Sequence, residues 1–235
     1  MQAKTPKVSV VIPTFQEGKY IAAILSKLVR TKPKVEIIVV DSGSKDETVQ
    51  IANKFTDKVY QIEERGISKA RNHGLRQASG DLVIFLDADV DPPPDFVEKV
   101  LESFNNEAVV GATCCIMPKQ PRPLENAFFS LYNVILQFCA NIKPHSRGEF
   151  FAVKRSEFLK VKGFNENMPC LEDHDLALRL GKRGEFSFIK ELTVYESLRR
   201  FRTLGFSRVI GTWFMDYVSF VLRKKPVSKI WQPVR

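Results

Sequence analysis

The chain has 235 residues, 44% of them hydrophobic and 27% charged, and carries a net charge of +9. That length suits one large α/β domain with a substantial core, and the composition is that of a globular chain rather than a disordered or fibrous one. Four cysteines without a Cys-x-x-Cys pair argue against a zinc ribbon or a disulfide framework, and no apolar run approaches the ~20 residues that a spanning helix needs.

Val8 to Ile12 is a β-branched run that reads as a first strand, followed by a loop from Pro13 to Gly18. Tyr20, Ile21, Ile24, Leu25 and Leu28 then recur at helical spacing. A second buried strand over Val35 to Val40 closes in Asp41-Ser42-Gly43-Ser44. Ser44 with Glu47 three residues later has the form of a capping box and predicts a helix start directly after the strand. Val59 to Ile62 is a third, short strand, and Gly66 to Gly74 leads into another helix. Strand-to-helix turns repeated at this spacing predict a mostly parallel sheet with right-handed crossovers.

Leu82 to Leu86 is a run of five apolar residues with the length of a buried central strand, and it ends in Asp87, Asp89 and Asp91 before three prolines. On an extended backbone, acids spaced by two point the same way. Carboxylates crowded on one face need a positive partner, and hard cations such as Mg²⁺ or Mn²⁺ are held by one or two carboxylates plus substrate phosphates. The stretch therefore predicts a metal and nucleotide platform at the carboxyl end of a strand, where open α/β sheets place their ligands.

Phe96, Val97, Val100, Leu101 and Phe104 form a helical stripe, and Ala108 to Met117 is strand-like, with Cys114 and Cys115 packing as small apolar residues. Prolines 118, 121 and 123 break that pattern, so the strand order is expected to change there. Later strand signals occur at Phe150 to Val153 and around Phe186 to Val194. Leu124 to Ile142 and Val209 to Leu222 read as amphipathic or core helices, since Asn126, Asn133, Gln137, Asn141 and Asp216 interrupt them. Between them Leu171-Glu172-Asp173-His174-Asp175 opens a helix whose dipole stabilises acids in its first turn. A carboxylate kept ionised there suits a general base, and a lone histidine in such a turn is expected to be exposed.

Charge is concentrated at the end of the chain. Residues 199 to 235 hold nine basic side chains against Asp216, a net of +8 that leaves +1 for everything before them. An anionic partner is implied: a diphosphate, an acidic membrane surface or nucleic acid. No Gly-x-x-x-x-Gly-Lys loop is present and no Gly-x-Gly-x-x-Gly follows the first strand, which counts against the usual ATPase and dinucleotide folds.

Taken together, Val8 to Glu17, Val39 to Thr48, Gly66 with Ala70 to Gly74, Asp87-Ala88-Asp89 and Glu172 to Leu176 resemble, in order and spacing, the motifs of family 2 glycosyltransferases of the GT-A fold. The resemblance covers residues 7 to about 184 and implies a mixed, mostly parallel central sheet flanked by helices. It also implies roles by position. Pro13, Thr14 and Glu17 would line the nucleotide pocket, Asp41 would bind the base, Arg71 would approach the nucleotide and Asp87 would face the ribose or a metal-bound water. Asp89, with Asp91 where some relatives also use it, would ligate Mg²⁺ or Mn²⁺. Asp173 would be the base of an inverting displacement, with Glu172 orienting it. Ser197 to Gly205 is similar to the Ser-x-Arg-Arg segment of some small members, which directs Arg199 or Arg200 to the donor diphosphate. The Gln-x-x-Arg-Trp segment of processive synthases is absent, so transfer of one sugar from a UDP- or GDP-sugar is expected.

The implied organisation is a catalytic domain over 1–198, with its nucleotide part in 1–117 and its acceptor side in 118–198, followed by a basic amphipathic segment over 199–235. That segment suits either a helix lying on an acidic membrane or one packed on the domain with snorkelling arginines. A cytoplasmic protein, peripheral on the inner membrane face, with a lipid-linked acceptor and no nucleic-acid partner is the corresponding expectation. Arg147 and Arg122 are candidates for a phosphate on such an acceptor. Two other functions compete. A sugar-phosphate nucleotidyltransferase would need a Gly-x-Gly-Thr-Arg start where Pro13-Thr14-Phe15 stands, and a nucleic-acid-binding protein would rest on the basic tail alone.

Overall fold

A computed structural model describes residues 7–140, 142–228 and 234. The elements run β1 (Val8–Thr14), α1 (Ile21–Leu28), β2 (Glu36–Asp41), α2 (Thr48–Ala52), β3 (Val59–Gln61), α3 (Ile67–Gln77), β4 (Leu82–Leu86) and α4 (Phe96–Ser103). They continue with β5 (Val109–Pro118), α5 (Pro123–Ala140), β6 (Phe150–Lys154), α6 (Arg155–Lys160), α7 (Glu172–Leu180), β7 (Glu185–Glu196), α8 (Arg199–Leu204) and α9 (Phe206–Arg223).

Seven strands form one sheet in the order β3-β2-β1-β4-β6-β5-β7. Neighbours are parallel except at β6, which runs antiparallel to both β4 and β5. β6 is thus slotted between two strands that precede it in the chain; the order departs from succession already between β3 and β4 and between β4 and β5, ahead of the prolines at 118, 121 and 123 where the sequence predicted the change.

The five side chains of β4 alternate between two cores. Leu82, Ile84 and Leu86 face the layer that contains α1 and α4, while Val83 and Phe85 face α3, α6 and α7. A strand buried on both faces needs an unbroken apolar run, which is why this one has no polar residue until Asp87. On the second face α3 lies so close to β1 that a Cβ on Gly74 would stand 2.3 Å from Val11. A third core joins Phe129 of α5 to Leu198, Phe201 of α8 and Val209 of α9. The carboxyl-terminal helices therefore pack on the domain with one side and leave Phe214, Met215 and Leu222 exposed on the other.

Three local expectations fail for identifiable reasons. β1 continues through Pro13 and Thr14, because Thr14 still pairs with Asp41 of β2. Ser44 caps no helix: its hydroxyl donates to Asp41 Oδ1 at 2.5 Å and accepts from the Gln16 N–H, while Asp46 takes the Thr48 N–H before α2. His174 is 5% exposed rather than solvated, because α7 turns it inward.

Candidate active site

In a parallel sheet the carboxyl ends of the strands share one edge, so the loops after β1, β2 and β4 and the start of α3 converge there. The turn after β2 is ordered by Asp41, whose carboxylate accepts N–H bonds from Gly43 and Ser44 and hydroxyl bonds from Ser44 and from Thr14 at 3.0 Å. Asp41 is 1% exposed, so its oxygens are spent on the loop itself. Glu17 takes its place at the mouth of the same edge, with its N–H donating to Thr48 Oγ1. Arg65 lies with its guanidinium 4.5 Å from the centre of the Phe15 ring.

Arg71 is the hub. It projects from the first turns of α3 and is 1% exposed. Nη2 donates to Asp87 at 2.9 Å and to the Gly148 carbonyl at 2.7 Å, and Nη1 donates to Glu172 at 2.8 Å. One buried cation thereby joins the end of β4, the start of β6 and the first turn of α7. A second clamp is parallel to it: Arg199 of α8 holds both carboxylate oxygens of Glu17 at 2.8 and 2.7 Å and lies 3.1 Å from Asp89. A third cation, Arg147, is buried between Glu149 and Glu196. It is therefore engaged by the domain's own acids, contrary to a free phosphate-binding arginine.

The backbone turns after Leu86 instead of staying extended, and this separates the three acids. Asp87 meets Arg71 and Asp89 meets Arg199, while Asp91 bridges to Tyr195 of β7 through backbone bonds of 2.7 and 3.1 Å and pairs with Lys27 and Lys119. Asp91 is thus drawn to two lysines, and the expectation of three carboxylates on one face is corrected. Arg200 is half-buried on α8, and Pro13 is half-buried at the end of β1.

Counting the connected groups, Glu17, Asp87, Asp89, Glu149, Glu172, Asp173 and Glu196 face Arg71, Arg147 and Arg199. Acids outnumber cations in a place with little water. Burial pushes Asp87 and Glu172 up to about 7 and Asp173 up to about 6, with Arg71 opposing the rise in all three. Asp89 moves up as well, through burial against the opposing pull of Arg199. Perturbation of this kind, concentrated among a few contacting side chains, is the pattern of a functional site. Among the described residues no three acids, histidines or cysteines converge as a ready-made metal cage. Asp87 and Asp89 would be the one or two carboxylates that Mg²⁺ or Mn²⁺ takes when phosphates fill the remaining positions, so the donor set fits such an ion.

Sequence reasoning missed Glu149, Gly148 and Glu196 as members of this site. Their signal was faint, an Arg-Gly-Glu triplet ahead of a short strand and an acid ending a long one.

Glycosyl transferase family 2 matches residues 9–164, well over half of the chain. The chain belongs to that family. Within this family it is 34% identical over 232 residues to a dolichol-phosphate mannosyltransferase of Pyrococcus furiosus, covering 92% of this chain and 63% of the relative. It is 33% identical over 118 residues to glycosyltransferase AglE of Haloferax volcanii, covering 46% of this chain and 39% of that protein. The chain therefore spans less than two thirds of the length of these relatives.

Among solved structures, the mannosyltransferase PcManGT from Pyrobaculum calidifontis, in complex with GDP-Man and Mn²⁺, superposes with a TM-score of 0.69 at 25% identity, covering 82% of this chain and 57% of that one. Residues 1–349 of TarS from S. aureus, in complex with UDP-GlcNAc, give a TM-score of 0.66 at 22% identity, over 81% and 58%. The architecture is the GT-A fold of this family. Neither the nucleotidyltransferase nor the nucleic-acid-binding alternative finds support among these relatives.

Glu172 and Asp173 bind protons more tightly in the folded chain than in the unfolded one, so the native state holds the larger number of protons between pH about 4.5 and 7. Stability from these groups therefore rises as pH falls through that window and is lost as pH rises. Urea unfolding of wild type and Glu172→Gln at pH 7.5 and 5 checks this: the wild type gains on the variant at the lower pH. A difference that shrinks on acidification contradicts the assignment.

Proposed function

We propose that this chain transfers a single sugar from a nucleoside-diphosphate donor to an acceptor hydroxyl or a lipid phosphate, inverting the anomeric carbon. The observation that carries the reading is that an acid at the end of β4 and one in the first turn of α7 meet across one buried arginine. Asp173 is the base. It is buried, and its own carboxylate bonds the His174 N–H at 2.9 Å, which fixes its direction. Glu172, tied to Arg71, orients that turn. A carboxylate whose proton affinity lies near neutral suits general base catalysis, a contribution of roughly 10²–10⁴ in rate.

On the donor side, Asp89, with Asp87 beside it in place of the lysine-paired Asp91, would hold Mg²⁺ or Mn²⁺ together with the diphosphate, and the ion would supply charge neutralisation for the departing nucleotide when bound. Pro13, Thr14, Glu17 and Arg71 line the pocket, with Asp41 ordering the turn beneath the base. Arg199, and Arg200 beside it, face the donor phosphates. Arg199 spans Glu17 and Asp89, and a guanidinium in that place suits phosphate oxygens. The division into a nucleotide part, 1–117, an acceptor side, 118–198, and a basic segment, 199–235, follows from these roles. UDP and GDP donors are both compatible. Relatives described in complex with GDP-Man and with UDP-GlcNAc support that breadth, and a dolichol-phosphate mannosyltransferase among them supports a lipid-linked acceptor.

Thermal unfolding with UDP-, GDP- and dTDP-sugars, each with and without Mn²⁺, tests the donor half. At least one nucleotide sugar raises the midpoint only when metal is present, and Asp89→Asn abolishes that rise. Asp173→Asn keeps it while transfer falls by about 10²-fold or more. Failure of every nucleotide to stabilise the wild type would falsify the proposal.

A peripheral membrane location on the cytoplasmic face is part of the same reading. No helix among the described residues is long and apolar enough to cross a bilayer. Yet α5 exposes Leu131, Val134, Ile135 and Phe138, and α9 exposes Phe214, Met215 and Leu222, near Arg208, Arg223, Lys224 and Lys225. Apolar residues interleaved with cations fit an acidic interface. In flotation at low salt the protein rises with phosphatidylserine vesicles and stays down with neutral ones; equal recovery in the soluble fraction from both sinks this part.

A further inference from the structure

The first turn of α7 is held from behind by the carboxyl-terminal helix, through contacts that the reaction itself does not use. Leu171, the residue before the turn, has a left-handed backbone with φ of 61°, a conformation that costs a non-glycine residue of order 1 kcal/mol and persists only where neighbours impose it. α9 supplies the neighbours on both sides. One residue before Leu171, the buried Cys170 thiol donates to Asp216 Oδ2 at 3.7 Å. Three residues after it, the His174 ring meets the rings of His145 and Tyr217 edge to face, with centroids 5.1 and 5.9 Å away.

The hydrogen bonds of this cluster are directional. His145 Nδ1 lies 2.5 Å from the Lys143 carbonyl, which only accepts, so Nδ1 carries the proton. His145 Nε2 is then the acceptor in the neutral ring, and Tyr217 donates its hydroxyl to it at 2.5 Å. The Ser146 N–H donates to His174 Nδ1 at 3.3 Å, which leaves His174 neutral as well. Burial holds both imidazoles down at about 4, in agreement with that assignment. Asp216 in turn accepts from the N–H groups of Val227 and Ser228 and from the Ser228 hydroxyl, so the chain beyond α9 is fastened to the same point. One helical face of α9 thus carries Trp213 over Arg147, and Asp216 and Tyr217 against the two flanks of the catalytic turn.

We infer that Tyr217 and Asp216 are positioning residues for Asp173: α9 clamps the strained start of α7 and fixes the direction of the base, without touching substrate. This rests on the glycosyl-transfer reading for its catalytic consequence, whereas the clamp itself is a property of the fold. It also gives the carboxyl-terminal segment a task inside the catalytic centre, distinct from any surface that its outer face meets.

The test uses the full chain with Tyr217→Phe, which keeps the ring and removes only the donated proton, and Asp216→Asn as a second variant. Phe214→Ala, on the outer face of the same helix, is the control. Hydrogen exchange of the amides of residues 172–175 is expected to quicken at least tenfold in both variants and to stay unchanged in the control. The exchange of β1 and β4 is expected to hold. Nucleoside-diphosphate affinity with Mn²⁺ is expected to remain within twofold, while kcat falls at least tenfold with the donor KM within twofold. Unchanged exchange at 172–175, or an equal quickening across the whole chain, overturns the clamp. Faster exchange with unaltered kcat overturns the positioning role. A wild type that transfers no sugar defeats the glycosyl-transfer reading instead, and the exchange comparison then decides the clamp by itself.

Discussion

The buried guanidinium of Arg71 is the constraint from which the rest follows. A cation withdrawn almost fully from water costs several kcal/mol unless partners replace its hydration. Here the replacements come from three elements far apart in sequence: Asp87 after β4, Gly148 before β6 and Glu172 on α7. Pairing its two terminal nitrogens therefore obliges the two halves of the sheet to meet. The antiparallel β6 makes the meeting possible, since its reversed direction delivers the Gly148 carbonyl and Glu149 to the edge where β4 releases its acids.

Burial, with neighbouring carboxylates adding to it, raises the proton affinities of Asp87, Asp89, Glu172 and Asp173 against the pull of Arg71 and Arg199, and such a concentration of perturbed acids is the pattern of a functional site. Replacing such a cluster by apolar groups would be neutral or better for stability. Arg199 plays a complementary part at the same sheet edge, where it bridges Glu17 and Asp89 from the other end of the chain. The carboxyl-terminal helices are accordingly part of this cluster: α8 brings a cation to Glu17 and Asp89, and α9 braces the turn that holds Asp173.

Much of this was legible in the residues. The burial of Leu82 to Leu86 on both faces, the repeated strand-to-helix turns and the acids opening α7 follow from an unbroken apolar run, spacing and the helix dipole, all local properties. What failed was non-local. Whether Asp91 faces Asp89 depends on a turn and on Lys27 and Lys119, brought in by α1 and the end of β5. Ser44 had the pattern of a cap but found Asp41 nearer, and His174 looked solvated until Tyr217 of a distant helix covered it. Glu149 and Glu196 escaped notice because a single acid at a strand end has no signature until the strand order puts it beside Arg147.

The central claim, that Arg71 makes one site of two sequence-distant carboxylate groups, is tested most directly by a double-mutant cycle in chemical unfolding with Asp87→Asn and Glu172→Gln. Neither substitution changes volume much, and each removes one charged partner of the same buried cation. The account predicts that the double variant departs from the sum of the singles by roughly 0.5–3 kcal/mol, the range for residues sharing a partner. Additivity within about 0.3 kcal/mol, as for independent sites, would contradict it.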